Sequence, residues 1–390
     1  MRIGLLSPSI YMSPSRYGDM IFAPRDLSVF LANGLVKRGH DVTFFTAPDI
    51  QTHARLVGGD RQLLEKQYQE EKLEHAGGER QKWASFYTVK RNYELDLTTR
   101  AYQMAKEGKL DIVHSYHDSL AHFFDELTGF PTVYTLHDPV PKNPNSLPFW
   151  LLNRFKKHNF IAISKSFGRL DGIGLNFVGT VYHGIDLPQI KGVSPGLYLA
   201  CAGRMVPEKG IHLALDAART AGLPIKVATS VMKENQNSEY FNGIVKPYTR
   251  DVRVEFVPFM KNAQKTEFLA SARAFLFPIV WEEPFGMVMI EAMACGTPVI
   301  AYNRGSVSEV VRDGFTGFII DPDSENRPGK GSWIIKKQGI EGLVEAIGKI
   351  DQIDRAACRK HVEENFTVAK MVEGYENVYE KVRLRISSCL

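Results

Sequence analysis

The segment that most constrains the fold runs from residue 272 to residue 302, where a strand pattern, a turn, a short helix and a second strand pattern follow each other. Residues 272–280, ARAFLFPIV, are apolar, β-branched and aromatic, which is typical of a buried strand. The helix pattern begins near Pro284 to Met287 and ends at Gly296 and Pro298, before the apolar stretch PVIAY. Two buried strands joined through a helix predict a parallel α/β sheet.

The start of this helix also has the features of a binding site. Backbone N–H groups and the positive end of the helix dipole suit a phosphate. Glu283 stands just before the helix and Glu291 lies two turns inside it, with the turn Phe285-Gly286 between them. Each carboxylate alone is explained by helix capping or by solvation, but the combination favours a ligand site.

The same alternation of strands and helices continues through the chain. RIGLLSP is a predicted strand, residues 25–38 a predicted helix that Gly39 ends, and DVTFFTA the next strand. A chain of 390 residues fits two domains, and the proline- and glycine-containing residues 186–196 read as the linker between them. We therefore predict an N-terminal domain over residues 1–188 and a C-terminal domain over residues 189–367.

Several segments carry weaker predictions. FIAISKS and TVYHGID are predicted as the last two strands of the first domain. Residues 53–110 show little pattern, and within them the charged residues 63–83 are predicted as a solvated helix or a lid over the acceptor region. Residues 149–160, FWLLNRFKKHNF, predict an amphipathic helix that packs against the sheet, with a membrane-surface helix as the less favoured alternative. Residues 361–386 have helical periodicity.

The composition excludes some classes of protein. The chain is 44% hydrophobic and 24% charged, and no stretch approaches the roughly 18 apolar residues of a spanning helix, so at most peripheral membrane contact is expected. Four cysteines without paired or metal-type spacing predict reduced thiols in a cytoplasmic protein. A formal net charge of +4 is too small to indicate a nucleic-acid partner.

The motif WEEPFG followed by EAMACGTPV, with Glu283 and Glu291 eight positions apart, resembles the signature of family-4 glycosyltransferases (glycosyl transferases group 1). Further segments resemble landmarks of that family in the family's order, so the resemblance covers nearly the whole chain. These segments are IGLLSPS, LVKRGHDVTFFT, TLHD (135–138), AISKS (162–166), YHGID (182–186) and GRMVPEKG (203–210).

The resemblance implies the GT-B fold, in which two Rossmann-like doubly wound domains face a central cleft. It also implies that a C-terminal helix, about residues 368–390, packs back on the first domain. The implied activity is retaining transfer of a hexosyl-type sugar from a UDP- or GDP-linked donor to a hydroxyl acceptor, without a metal or other cofactor. The triplet Asp321-Pro-Asp323 is predicted to be a turn rather than a metal site.

The resemblance also assigns roles to individual residues. Arg204 and Lys209 would hold the departing diphosphate, Glu283 the donor sugar and Glu291 the ribose hydroxyls, while His137 would meet the sugar from the first domain. Arg and Lys suit phosphate, and an ionised carboxylate accepts two hydroxyl hydrogen bonds. The remaining candidate nucleotide-sugar contacts are Gly18, Gly203, Val257, Pro258, Phe285, Gly286 and Met287. Structural roles are predicted for His114, His117, His183 and His212.

Three other functions remain open on the sequence. These are a nucleotide-sugar-binding protein without catalysis, a GT-B epimerase or phosphorylase, and a nicotinamide-dependent oxidoreductase. The missing G-x-G-x-x-G fingerprint disfavours the oxidoreductase. The sequence does not specify the donor sugar, the base, the oligomeric state or the acceptor, which could be lipid-linked, a small metabolite or a natural product.

Overall fold

The structure is a computed structural model that describes residues 1–18, 22–65, 80–116, 119–169, 172–190, 196, 198–229, 239–260, 262–323 and 331–387. The chain forms two compact units. The N-terminal unit comprises Met1–Ile163, Gly168–Gly184 and Val368–Leu390, and the C-terminal unit comprises Ser164–Phe167 and Ile185–Thr367.

The N-terminal unit is built on a parallel sheet whose strand order is β3-β2-β1-β4-β5-β6-β7. Its strands are β1 Arg2–Leu6, β2 Asp41–Thr46, β3 Arg55–Gly58, β4 Ile112–Ser115, β5 Thr132–Thr135, β6 Asn159–Ala162 and β7 Phe177–Thr180. The inner strands β4 and β5 are buried along their whole length, because parallel sheets are covered by helices on both faces.

The C-terminal unit contains a second parallel sheet with the order β10-β9-β8-β11-β12-β13. Its strands are β8 Leu199–Ala202, β9 Ile225–Ala228, β10 Val254–Val257, β11 Ala274–Phe277, β12 Val299–Tyr302 and β13 Gly317–Ile320. This is the doubly wound order in which the direction of winding reverses between the first and the fourth strand. In this unit the reversal lies between β8 and β11.

The helices fill the faces of both sheets. They are α1 Pro14–Tyr17, α2 Ala23–Lys37, α3 Arg80–Lys106, α4 Ala121–Thr128, α5 Leu147–Arg154, α6 Lys165–Arg169, α7 Ile211–Ala221, α8 Asn262–Ala270, α9 Met287–Ala294, α10 Val307–Val310, α11 Gly339–Lys349, α12 Arg355–Asn365 and α13 Val368–Ser387. Among the described residues, no helix is both long and apolar enough to cross a bilayer.

Helix α13 packs against α2 within the N-terminal unit. A Cβ on Gly34 of α2 would overlap the side chain of Val372, so the two helices approach each other closely at this glycine. The carboxylate of Glu376 pairs with Arg38 at 2.6 Å, and Lys381 donates to the carbonyl of Val178 at 2.7 Å. The last described helix is therefore part of the core of the N-terminal unit.

The helical periodicity of residues 361–386 corresponds to the end of α12 and to α13, which begins at Val368. Two predictions of local structure need correction. The last strand of the first sheet is β7, which ends at Thr180, so TVYHGID follows the strand instead of forming it. The helix predicted at 149–160 is α5, and none of its residues is fully buried, so the expected packing against the sheet is wrong in part.

Candidate active site

The site is organised by the carboxyl ends of β8 and β11, the two strands between which the winding reverses. Ligands of doubly wound sheets bind at such a reversal. β8 is followed directly by Gly203 and Arg204, and β11 leads into the loop that contains Glu283. The fold of the C-terminal unit therefore brings the two main predicted motifs to one edge of one sheet.

The two loops are held against each other by a close backbone contact. The amide of Val280 donates to the carbonyl of Glu208 at 3.0 Å. Gly210 has φ +63°, and a Cβ at this position would overlap the carbonyl oxygen of Pro278. Because only glycine accepts both the left-handed backbone and this contact, the GRMVPEKG motif needs a glycine at its end.

Lys209 and Glu283 form an ion pair at the centre of this arrangement. The Lys209 Nζ atom lies 2.7 Å from Glu283 Oε2, and both side chains are largely buried, with 15% and 12% of their surface exposed. Trp281 donates its Nε1–H to the same oxygen at 2.8 Å, and the Lys209 ammonium lies 4.9 Å from the centre of the Trp281 ring. The carboxylate and the ammonium are thus held in position by each other and by Trp281.

Trp281 was not predicted as a site residue. Trp281 precedes Glu282 and Glu283 in the loop after β11, but spacing in the sequence of a loop does not reveal where a side chain points. Arg204, the second predicted diphosphate ligand, is exposed at the same strand end, one residue after Gly203. Gly203 packs against the stem of Lys209, whose Cγ would lie 3.3 Å from an added Cβ.

The helix that follows Glu283 begins at Met287, with Gly286 as its N-cap. Gly286 has φ +78°, and no side chain caps the first amide groups of α9 by a hydrogen bond. Phe285 is buried beside it. The roles of Phe285, Gly286 and Met287 as contacts of the sugar or its phosphate stay predictions.

A neighbouring turn holds the glutamate loop in place. Ser306 donates its amide to the Glu283 carbonyl at 3.0 Å and its hydroxyl to the Phe285 carbonyl at 2.7 Å. The amide of Gly305 donates to the Glu282 carboxylate at 2.5 Å, and Arg304 pairs with the same group at 3.2 Å. None of these three supporting residues was predicted, because they lie beyond the next strand and are brought close only by the fold.

Glu291, the predicted ribose ligand, lies on α9 and also has a basic partner. The Lys265 Nζ atom on α8 lies 2.8 Å from Glu291 Oε1. Val257 and Pro258, the predicted backbone contacts of the base, stand at the carboxyl end of β10, where the Val257 carbonyl accepts from Thr229 at 3.0 Å. The roles of these three residues stay predictions.

In the N-terminal unit, His137 lies two residues beyond the end of β5. Its ring is 4.6 Å from the ring of Tyr116 and 5.3 Å from the ring of His183, with which it is nearly parallel. Behind it, His114 is bonded to Thr135 Oγ1 at 2.8 Å and to the Tyr379 hydroxyl at 2.7 Å. Burial lowers the pKa of His114 and of His183 to about 3, so both imidazoles are neutral around pH 7.

The remaining predicted residues have varied surroundings. Gly18 ends α1 with a helical φ of −59°, and a Cβ at this position would overlap the carbonyl oxygen of Pro14. Asp19 and His117 lie outside the described residues. His212 contacts the hydroxyl of Tyr240 at 3.0 Å. Asp321 accepts from Trp333 Nε1 at 3.0 Å and from the amide of Gly331 at 2.9 Å, which is a structural role.

The chain consists of two doubly wound units. One of them presents a lysine, an arginine and two carboxylates at the reversal of its sheet. This combination defines a nucleotide-binding α/β protein. Protein-family models narrow this class. The model described as Glycosyl transferases group 1 matches residues 189–329, and the model described as Glycosyltransferase Family 4 matches residues 29–188. The chain belongs to this family of glycosyltransferase enzymes, as its motifs predict.

Two curated proteins illustrate the sequence similarity. The putative glycosyltransferase YtcC of Bacillus subtilis is 31% identical over 200 residues, which are 49% of this chain and 47% of that protein. The aligned part therefore spans about half the length of this relative. The alpha-maltose-1-phosphate synthase of Mycolicibacterium smegmatis is 26% identical over 305 residues, covering 69% of this chain and 78% of that protein.

A solved structure supports the fold. Anabaena Alr3699/HepE, crystallised in complex with UDP and glucose, matches with a TM-score of 0.63 at 18% identity, over 98% of this chain and 100% of that chain. At this identity the likeness concerns the fold alone. Together with the two parallel sheets, it confirms the predicted two-domain α/β fold of the GT-B type.

Proposed function

We propose that this chain is a retaining glycosyltransferase that moves a hexosyl-type sugar from a UDP- or GDP-linked donor to a hydroxyl acceptor. The observation that carries the proposal is the contact of Lys209 with Glu283 at the carboxyl ends of β8 and β11. The same strand ends present Arg204 and the start of α9, so several groups that suit a diphosphate lie along these strand ends. The relatives' names and the complex of HepE with UDP and glucose support this function.

In the proposed reaction, the bond between the anomeric carbon and the diphosphate oxygen breaks while the acceptor oxygen bonds to that carbon from the same face. The acceptor's proton passes to an oxygen of the leaving diphosphate. Negative charge grows on the diphosphate during this step, so Arg204 and Lys209 would stabilise the transition state more than the bound donor. This part of the reaction needs no metal ion, because the two side chains supply the positive charge.

The two carboxylates would orient the donor. Glu283 is held by Lys209 and Trp281, which leaves its second oxygen, Oε1, to accept a sugar hydroxyl. Glu291, which pairs with Lys265, would accept the ribose hydroxyls. The role of His137 and the cytoplasmic location stay predictions.

Calorimetric titration of the full-length chain with UDP, GDP and NADH tests the proposal. We expect binding of one of the two nucleoside diphosphates and no binding of NADH. The matching nucleotide sugars are then assayed for slow hydrolysis, with release of the diphosphate and a sugar of retained anomeric configuration. Binding of NADH with no binding of UDP or GDP would contradict the proposal, and tight nucleotide binding without sugar release would indicate a binding protein.

A further inference from the structure

A patch of exposed apolar side chains on α5 has no role in the proposed reaction. In the N-terminal unit, Leu147 is 68% exposed and Trp150 is 52% exposed. They are three positions apart on α5, so they share one face of the helix. Since no residue of α5 is fully buried, this helix contributes little to the core and displays its large side chains to solvent.

The neighbouring helix α4 also exposes large apolar side chains. Phe123 is 44% exposed and Leu127 is 84% exposed, and their spacing of four places them on one helical face. The ring of Phe123 meets the ring of Phe155 edge-on at 5.1 Å, directly after α5. Arg154 at the end of α5 pairs with Glu126 on α4 at 3.3 Å, so the two helices are joined at this point.

Basic residues border these side chains. Arg154, Lys156 and Lys157 are all exposed at the end of α5. The exposed acidic residue on α4, Glu126, is already paired with Arg154 and with His158, each at 3.3 Å. The surface thus combines apolar bulk with positive charge. We call it the α4–α5 patch, and its members are Phe123, Leu127, Leu147, Trp150, Arg154, Lys156 and Lys157.

We propose that the α4–α5 patch docks on the surface of a membrane that contains anionic lipids. Trp and Leu on a short amphipathic helix enter the boundary between headgroups and acyl chains, while Lys and Arg stay at the level of the anionic headgroups. A protein partner or a second copy fits less well, because exposed lysines are depleted from protein–protein interfaces. The positive charge of the patch therefore favours binding to a lipid surface.

The test is co-sedimentation of the full-length chain with vesicles of phosphatidylcholine, with and without phosphatidylglycerol. We expect the protein to sediment with the anionic vesicles, to bind neutral vesicles much more weakly, and to be released as the salt concentration rises. Equal binding to both kinds of vesicle, or no binding to either, overturns the proposal.

Variants locate the binding surface. The double change Leu147→Ser with Trp150→Ser should lower the vesicle partition coefficient at least about tenfold, because two large apolar side chains no longer enter the lipid. Lys156→Gln and Lys157→Gln should each lower it roughly fivefold on anionic vesicles only. The matched controls in the C-terminal unit are Val252→Ser, which is 100% exposed, and Lys360→Gln, whose side chain is 72% exposed.

Two outcomes of this series would overturn the assignment of the surface. One is vesicle binding by the patch variants that equals binding by the controls. The other is a dimer that dissociates in sedimentation velocity runs when Trp150 is replaced, with no vesicle binding by the original chain. Because the patch lies on the other unit from the predicted diphosphate ligands, UDP or GDP affinity should be the same in all variants, and this measurement also verifies that they fold.

Discussion

At the scale of single residues, the most informative contact is the ion pair of Lys209 with Glu283. Two largely buried charges compensate each other, with 2.7 Å between Lys209 Nζ and Glu283 Oε2. A diphosphate that binds to Lys209 must compete with this carboxylate for the same ammonium group. The pair thus keeps the lysine ordered, and it also lowers the affinity that the lysine can contribute to a diphosphate.

Replacing Glu283 by Gln should therefore have opposite effects on binding and on turnover. We expect UDP or GDP affinity to rise roughly two- to tenfold, because a negative charge beside the diphosphate is removed. Sugar transfer should fall, because the amide orients the donor less firmly. Calorimetry and an initial-rate assay measure the two effects. The control is Glu255→Gln, since Glu255 lies on β10 with 55% of its side chain exposed. Weaker nucleotide binding by the Glu283 variant would contradict the competition between Glu283 and the diphosphate for Lys209.

Arg204 provides a second prediction at this scale. Arg204→Ala should reduce turnover about 10²–10³-fold, as for the loss of one donor to a developing oxyanion, with a smaller effect on donor binding. Arg250→Ala is the matched control, because Arg250 is also exposed but precedes β10 at the opposite edge of the sheet. A loss of less than about fivefold in a folded Arg204 variant would remove this residue from the reaction.

At the scale of elements, the site depends on turns that bring separate loops together. The turn at Gly210 packs on the loop after β11, and the turn at Gly305 packs on the backbone of Glu283, where a Cβ would overlap its carbonyl oxygen. Both glycines have positive φ, at +63° and +55°. The positions of Lys209 and Glu283 are consequences of these two contacts.

The two glycines that flank α7 allow the cost of a positive φ to be measured apart from the cost of the contact with the loop after β11. Gly210 precedes α7 and Gly222 ends it, and both have positive φ. Gly222→Ala meets open space and should cost about 1 kcal/mol of unfolding free energy. Gly210→Ala adds the overlap with Pro278 and should cost about 2–5 kcal/mol, together with weaker nucleotide binding. Denaturant unfolding measures the unfolding free energy of both variants. Equal losses of unfolding free energy would mean that the contact between Gly210 and Pro278 contributes little to stability.

The sequence predicted elements well where periodicity and stop signals agree. The predicted helix at 25–38 is α2, and GIHLALDAARTAG is α7, which ends at Gly222 as expected. β3 was missed, because this edge strand is only half buried and lacks alternation. The prediction of a strand at TVYHGID was wrong for a related reason. Its apolar residues are buried after the strand has ended, and apolar character alone does not distinguish a strand from the buried segment that follows it.

The candidate site shows the same limit. The motif residues Arg204, Lys209, Glu283 and Glu291 could be named from the sequence, since strand ends and helix starts are visible in it. Their partners Trp281, Lys265 and Ser306 could not, because they meet the motif through side-chain direction or through contacts between distant segments. Pairing of this kind follows from packing, which one sequence without relatives does not reveal.

At the scale of the whole molecule, buried histidines set the response to acid. Burial lowers the pKa of His114 and His183 to about 3, below the value of 6.5 that applies in an unfolded chain. Between these values the unfolded chain binds more protons than the folded one. The stability contributed by the neutral rings is therefore complete above about pH 6.5 and is lost as the pH falls.

We expect the unfolding free energy to decrease below about pH 6.5, with each of the two rings contributing up to about 1.4 kcal/mol per pH unit. His114→Gln should be less stable at neutral pH but should show a shallower decrease. His53→Gln, at an exposed position, is the control and should follow the original chain. Urea unfolding at several pH values measures the slopes, and parallel slopes for all three proteins would contradict the prediction.

The division of the chain has a consequence for its synthesis. The N-terminal unit contains Val368–Ser387 of α13, whose Tyr379 bonds to His114 and whose Tyr375 bonds to Thr135. On the ribosome, all seven strands of the first sheet are therefore synthesised before the helix that completes their core, and the second unit is translated in between. We infer that the nascent first unit depends on late residues to close its core, whereas the second unit has all of its residues once Thr367 has emerged.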